Sequence, residues 1–345
     1  QDPTVGDRHS WEVWHQLMLP YQRYAEVGAR FVSEFGMQSH PSMAVLEHAI
    51  PAEERFPGSR TLQWHNKAFS PVGADGHRRL AVYRADTLRS PDTLAAEVYA
   101  TQFVQAEALR HAYEAFRRRW QTAGARGCGG ALVWQLNDCW PVTSWAIVDS
   151  AGTPKPAWYA IRRAMAPLAC AVRRGASGVA AWAMHAGAQP LAVQARWQLH
   201  TVDGDTVDDA TTAATLRANA TTELEPPPSW SVEPERPLIA SLQLTSDTGS
   251  AQAQAHAWPE PYRWHRFPDP GLQITTDADG CVTVQATRPA KGVWLDLPGV
   301  PGMPFEDNFL DLLPGELRRL RVTGAATAAD GIIATCLNTL QDPPG

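Results

Sequence analysis

The stretch Phe31-Val32-Ser33-Glu34-Phe35-Gly36 decides how the rest of the chain is read. It begins with an apolar, strand-like run, sets one carboxylate directly after it, and closes on a glycine. A carboxylate so placed stands at the C-terminal end of a strand, where the active sites of parallel β/α barrels form. A salt-bridged structural glutamate gives the same pattern, so spacing alone leaves both readings open. Upstream, Pro20 to Arg30 reads as a helix leading into this strand.

Downstream, Ser90-Pro91-Asp92-Thr93 has the composition of a helix start. Ser90 would be the N-cap, Pro91 the first helical residue, and Asp92 the acid of the first turn. Leu94, Val98, Ala106 and Leu109 hold an apolar face near helical period, and the helix is expected to reach about Trp120. Arg117, Arg118 and Arg119 suit the negative end of its dipole. Gly124, Gly127, Gly129 and Gly130 stop it, and Ala131-Leu132-Val133-Trp134 follows as a short run of the buried-strand kind. A further helix is expected over Pro156 to Met165. The order helix, strand, helix, strand, helix predicts a parallel α/β arrangement.

Near residue 167 the texture changes to short β-prone runs between Gly, Pro, Asp and Thr clusters. Leu191, Val193, Ala195, Trp197 and Leu199 alternate with the period of a half-buried strand, and Asp203-Gly204-Asp205 is a turn signal. Pro226-Pro227-Pro228 breaks the chain, and Leu238 to Leu244 reads as another strand. A boundary is expected at Pro268-Asp269-Pro270-Gly271. Beyond it, Leu272 to Thr275, Val282 to Ala286 and Val293 to Leu297 read as strands, with Asp279-Gly280 as a turn. Two β-sandwiches of immunoglobulin-like size are expected, over 168–266 and 267–345.

At 345 residues the chain is long enough for two or three domains. With 44% hydrophobic and 19% charged residues it can bury real cores, and it carries no low-complexity tract. A net charge of -6 and the lack of a basic stripe argue against a nucleic-acid partner. No apolar run approaches the roughly 20 residues of a membrane span. Gln1-Asp2-Pro3 reads like the inside of a longer protein. Cys128, Cys139, Cys170, Cys281 and Cys336 form no CxxC pair, so buried reduced thiols are expected rather than zinc. Free thiols and a single sequon, Asn219-Ala220-Thr221, lean toward the cytoplasm, though they leave the compartment undetermined. Fourteen tryptophans supply either core anchors or flat platforms for sugar rings.

Two more segments carry chemistry. Trp134-Gln135-Leu136-Asn137-Asp138 puts an aromatic face beside amide and carboxylate groups, as a sugar-hydroxyl site does, although a core tryptophan with turn-capping Asn137 and Asp138 is the plainer reading. His9-Ser10-Trp11-Glu12-Val13-Trp14-His15 suggests a sugar cleft or a metal, but further ligands at useful spacing are missing. Glu12 would be a rival catalytic acid, or an ordinary surface glutamate.

Taken in order, these segments resemble the β-mannosidase branch of family-2 glycoside hydrolases. Gly6-Asp7-Arg8-His9-Ser10-Trp11-Glu12-Val13-Trp14-His15 is similar to the family's G-D-x-H-Y-W-x-V-W-H stretch, and Phe31 to Ser39 to its nucleophile segment. Tyr99-Ala100-Thr101-Gln102 through Gln105-Ala106 resembles the helix between its last two barrel strands. Gly130 to Trp140 resembles its final-strand motif, and Lys155-Pro156 with Trp158-Tyr159 its closing helix. Asp307-Asn308-Phe309-Leu310-Asp311-Leu312-Leu313-Pro314-Gly315-Glu316 is similar to its last sandwich domain.

The resemblance implies the C-terminal part of a (β/α)8 TIM barrel over 1–167, followed by the two immunoglobulin-like sandwiches. It implies a retaining hydrolase of terminal β-mannosides with Glu34 as nucleophile. Trp134 would be an apolar wall of the sugar pocket, and His9, Trp11, Asn137 and Asp138 would shape or support it. No metal and no organic cofactor are implied. Ser10 replaces an expected aromatic, which would alter one wall of the pocket. The family's acid/base glutamate follows an asparagine, and no Asn-Glu pair occurs here. The chain is therefore expected to need the N-terminal remainder of the same enzyme and to be inactive alone. β-Galactosidase or β-glucuronidase activity on the same scaffold, and a non-catalytic carbohydrate-binding or structural fragment, are the rival readings.

Overall fold

A computed structural model describes residues 2–69, 75–120, 127–175, 178–230, 236–298, 300, 302–323 and 331–341. Gly124, expected among the helix-stopping glycines, lies outside them. The chain begins with β1 (Arg8–His9), a π-helical turn (Glu12–Gln16), a 3-10 turn (Tyr21–Ala25) and β2 (Val32–Phe35). Helices α1 (Met43–Ala49), α2 (Arg60–Trp64), α3 (Asp75–Thr87) and α4 (Leu94–Arg118) precede β3 (Ala131–Val133) and α5 (Pro156–Ala164). Among the described residues, no helix is long and apolar enough to cross a membrane.

The chain divides into two compact units. The first comprises Gln1–Phe35, Arg110–Val133 and Ile161–His265; the second comprises Gly36–Leu109, Trp134–Ala160 and Arg266–Gly345.

In the first unit β1, β2 and β3 form a parallel sheet with β2 in the middle. Val32 and Phe35 are fully buried. Phe35 meets Tyr24, Tyr113 and Phe116 edge-on at 5.8, 5.2 and 5.3 Å between ring centres, a geometry that adds to area burial. β3 departs from the expected buried strand: Leu132 is 56% exposed. It is an edge strand, covered on one side only. The helix expected over Pro20 to Arg30 is also corrected, because only the 3-10 turn forms. That turn puts Tyr21 and Tyr24, three residues apart, on one buried face. A side chain at Gly28 would meet the Arg119 guanidinium, which would have to shift, and would crowd Phe116.

The same unit holds seven antiparallel strands: β4 (Leu168–Gly175), β5 (Gly178–His185), β6 (Leu191–Thr201), β7 (Thr206–Leu216), β8 (Ala220–Leu224), β9 (Leu238–Ser246) and β10 (Gln252–Ala257). They form two sheets, β4-β5-β8 and β10-β9-β6-β7. The alternation read in β6 is real: Val193, Ala195, Trp197 and Leu199 are buried, while Ala192, Gln194 and Arg196 face solvent. The buried set packs with Val172, Ala183, Leu242 and Leu244 from both sheets into one core. Each valine or leucine of this set contributes about 1.5–3 kcal/mol by leaving water. Gly204, at φ 104°, makes the predicted turn between β6 and β7.

In the second unit, β11 (Gln273–Thr276), β12 (Cys281–Gln285), β13 (Ala290–Asp296), β14 (Leu310–Leu312), β15 (Leu317–Arg321) and β16 (Ile333–Thr335) build sheets β11-β12-β15 and β14-β13-β16, with α6 (Leu337–Gln341) after them. Val282, Val284, Val293, Leu295 and Leu312 share their core. The Asp307–Glu316 motif has a structural cause. Asn308 receives the Leu295 N–H at 2.8 Å and donates to the Leu295 carbonyl at 2.7 Å. Asp311 receives the Gly292 N–H and pairs with Lys291, which also reaches the buried Glu107 at 2.9 Å.

In this unit α4 begins three residues later than Ser90-Pro91 suggested. Thr93 is the cap: its Oγ1 receives the Ala96 N–H at 3.2 Å. Four cysteines are buried as expected, but Cys139 is exposed.

Candidate active site

Glu34 lies near the C-terminal end of β2, opposite His9 of β1 in the parallel register. The Ser10 N–H donates to the Glu34 carbonyl at 2.7 Å, which locks the two segments together beside the carboxylate. Two side chains then reach that carboxylate. The Trp11 indole N–H donates to Oε2 at 3.1 Å, and His9 Nδ1 lies 3.3 Å from the same oxygen. The Glu34 side chain keeps 27% of its surface accessible and His9 keeps 49%. The group is therefore held and reachable at once.

Neighbouring residues prove to be scaffolding. Glu12 pairs with Arg8 of β1, so its carboxylate is already engaged. Ser10 is fully buried and donates to the Val27 carbonyl at 2.8 Å. Ser33 donates to Asp7, and that bond is the main cause holding the Asp7 carboxyl below its ordinary value.

The remaining sequence-predicted residues belong to the second unit. Trp134 is 43% exposed, as an aromatic wall must be, and the peptide to Gln135 is cis. Asn137 is exposed, and its amide donates to the Asp138 carbonyl at 3.2 Å. Asp138 is different. It is buried, pairs with Lys67 at 2.7 Å and accepts the Ser144 hydroxyl at 2.7 Å. It braces the segment that carries Trp134.

Beside this brace sits fully buried Lys155, whose ammonium donates to the Ser39 carbonyl and hydroxyl, both at 3.3 Å. Burial pushes the Lys155 pKa down to about 8, against the pull of Asp138 and Asp149.

Comparison with known proteins follows this geometry. A family profile described as a mannosidase Ig/CBM-like domain matches residues 177–263, and one described as an Ig-fold domain of mannosidases matches 267–336. Beta-mannosidase B of Thermothelomyces thermophilus is 35% identical over 356 residues, covering 94% of this chain and 41% of that protein. Beta-mannosidase B of Aspergillus flavus is 36% identical over 349 residues, covering 94% and 40%. The chain belongs to the β-mannosidase family. It matches the C-terminal part of those β-mannosidases and spans about two fifths of their length. Among solved structures, the β-D-mannosidase of Dictyoglomus thermophilum matches with TM-score 0.83 and 24% identity, over 96% of this chain and 40% of its own. An exo-chitosanase of Amycolatopsis orientalis matches with TM-score 0.72 and 20% identity, over 96% and 44%. At those identities the likeness concerns the fold.

In this chain, sequence reading missed Lys67, Ser144 and Lys155 as supports of the Trp134–Asp138 segment. Lys155 carried the one available signal, a lysine fixed between Pro154 and Pro156 at the start of a helix. Lys67 is 71 positions before Asp138, and no local pattern connects the two.

Proposed function

We propose that this chain supplies the nucleophile side of a retaining β-mannosidase of glycoside hydrolase family 2. The observation that carries the reading is the Glu34 carboxylate, held near the end of a parallel strand by Trp11 and His9. Both contacts fall on Oε2, which fixes the carboxylate's rotation and leaves Oε1 for attack on the anomeric carbon of a terminal β-mannoside. The C1–leaving-oxygen bond breaks as the Glu34–C1 bond forms, giving a covalent glycosyl-enzyme that water then hydrolyses.

On this reading Trp134 is an apolar wall beside the sugar ring, Asn137 presents a polar edge to it, and Asp138 acts from beneath by bracing the segment. The acid/base glutamate belongs to the N-terminal remainder of the enzyme. It would stand roughly 5–5.5 Å from Glu34, the separation of retaining enzymes. β1, β2 and β3 with their helices, over 1–167, are then the C-terminal part of a (β/α)8 barrel, and 168–266 and 267–345 are its two sandwich domains. The substrate is a β-mannoside oligosaccharide.

Assaying the isolated chain and the full-length enzyme on an aryl β-mannoside tests this. Turnover is expected only from the full-length enzyme. Ordinary turnover by the isolated chain would show that the acid/base residue has been misplaced.

A further inference from the structure

The first unit contains a cleft of about 410 Å³ away from Glu34's neighbours, walled by α4, β4 and the segment after β10. That volume suits a single sugar or a comparably small ligand. Its lining is unusual in charge. Arg110, Arg118, Arg173 and Arg174 all contribute to it. Arg110 and Arg173 share one carboxylate, Glu114, at 3.1 and 2.8 Å. Arg118 forms a two-point pair with Glu223 at 2.7 and 2.6 Å and lies over the Trp182 ring at 4.3 Å. Glu260 is held by the Gln22 amide at 2.6 Å and the Tyr262 hydroxyl at 3.1 Å.

Three of the four guanidiniums are thus seen in ion pairs with Glu114 or Glu223. Arg174 is the exception, with no ion pair among the described residues. Its Nη atoms donate to the Leu238 and Arg236 carbonyls at 2.5 and 2.9 Å, and its buried Nε has no hydrogen-bond partner among the described residues. Nor does Nδ1 of the buried His111, which also lines the cleft. His265, on the same wall, is pushed down in pKa first by burial and then by the charge of Arg174. A half-buried guanidinium without an ion pair can make a charge-assisted hydrogen bond to an anion in the cleft.

We propose that this cleft is a binding site for a small anion, a carboxylate or phosphate group carried by a ligand of monosaccharide size, with Arg174 as its central donor and Arg118 at the rim. The site is separate from the Glu34 chemistry and needs no residue from it.

Calorimetric titration of the whole chain with inorganic phosphate, D-glucuronate and D-mannose at low ionic strength tests the proposal. Saturable binding of at least one anion is expected, with no binding of mannose. Tighter binding of glucuronate would mark a sugar acid, and tighter binding of phosphate a phosphoryl group. Arg174→Gln should weaken the anion about tenfold, the effect of one charge-assisted contact. Arg118→Gln, on the exposed rim, should do the same without touching the buried carbonyls, and thermal melting checks that both variants fold. Absence of saturable anion binding, equal binding of mannose, or affinity unchanged in both folded variants would overturn the proposal.

Discussion

The first sandwich and the three-stranded parallel sheet belong to the same compact unit and obey opposite rules. In the sandwich, two sheets face each other and close on Val193, Trp197, Leu242 and Leu244, so every apolar alternation finds its partner nearby. The parallel sheet has strands of two to four residues, and it leaves Leu132 on an edge strand 56% exposed. One region completes its own core. The other displays an apolar edge of the kind that further strands cover, and it is the region that carries Glu34.

The comparison can be broken at its strong end. Trp197 is buried in β6, donates to the Thr212 hydroxyl at 2.9 Å and meets Trp230 edge-on at 5.5 Å. Trp197→Ala should cost about 3–5 kcal/mol in chemical denaturation, because the site cannot collapse around so large a void. A loss below 1 kcal/mol would mean that the sandwich does not carry the unit's stability.

The second prediction concerns the buried cation under the Trp134 segment. A lysine whose pKa is about 8 in the folded state and 10.5 when unfolded binds its proton more weakly when folded. Its charge therefore opposes folding in full below about pH 8, and that penalty fades as the pH rises toward 10.5. The difference is about 3 kcal/mol at 1.36 kcal/mol per pKa unit. Between pH 8 and 10.5 the wild type should gain stability relative to Lys155→Met, measured by denaturant titration at each pH. Parallel curves would show that Lys155 keeps its ordinary affinity for protons.

Two smaller effects sharpen the picture. Thr93→Ala removes the α4 cap and should cost about 1 kcal/mol, whereas Ser90→Ala should cost almost nothing. Equal losses would restore Ser90 as the cap. Leu132→Lys should change stability by less than about 0.5 kcal/mol, as exposed substitutions do, yet reduce self-association of the isolated chain in sedimentation. Unchanged association would place the sticky surface elsewhere.

Much of this was legible in the residues. The period-2 run of β6 and the glycine turn at Gly204 needed only local rules. So did the apolar face of α4 and the strand-carboxylate-glycine order around Glu34. What failed was of three kinds. Pro20 to Arg30 has helical composition, but only a single 3-10 turn forms there, with Tyr21 and Tyr24 buried on one face. Ser90 is a good cap on paper, and Thr93 won because it stands next to the apolar face that α4 buries. Asp138 reads as a residue that shapes or supports the sugar pocket, and the partners that hold its two oxygens, Lys67 and Ser144, are what the sequence did not reveal. Long-range pairing of that sort leaves no trace in spacing, and neither does exposure that depends on the chain's neighbours, as at Leu132.

The central claim is that Glu34 becomes covalently bonded to the sugar. The most direct measurement is mass spectrometry of the full-length enzyme after inactivation with a 2-deoxy-2-fluoro-β-mannosyl fluoride, which slows release of the glycosyl-enzyme. The account predicts a single added fluoromannosyl group on the peptide spanning Phe31 to Gly36, abolished by Glu34→Gln. A label on a peptide lacking Glu34, or labelling that persists in that variant, would contradict it.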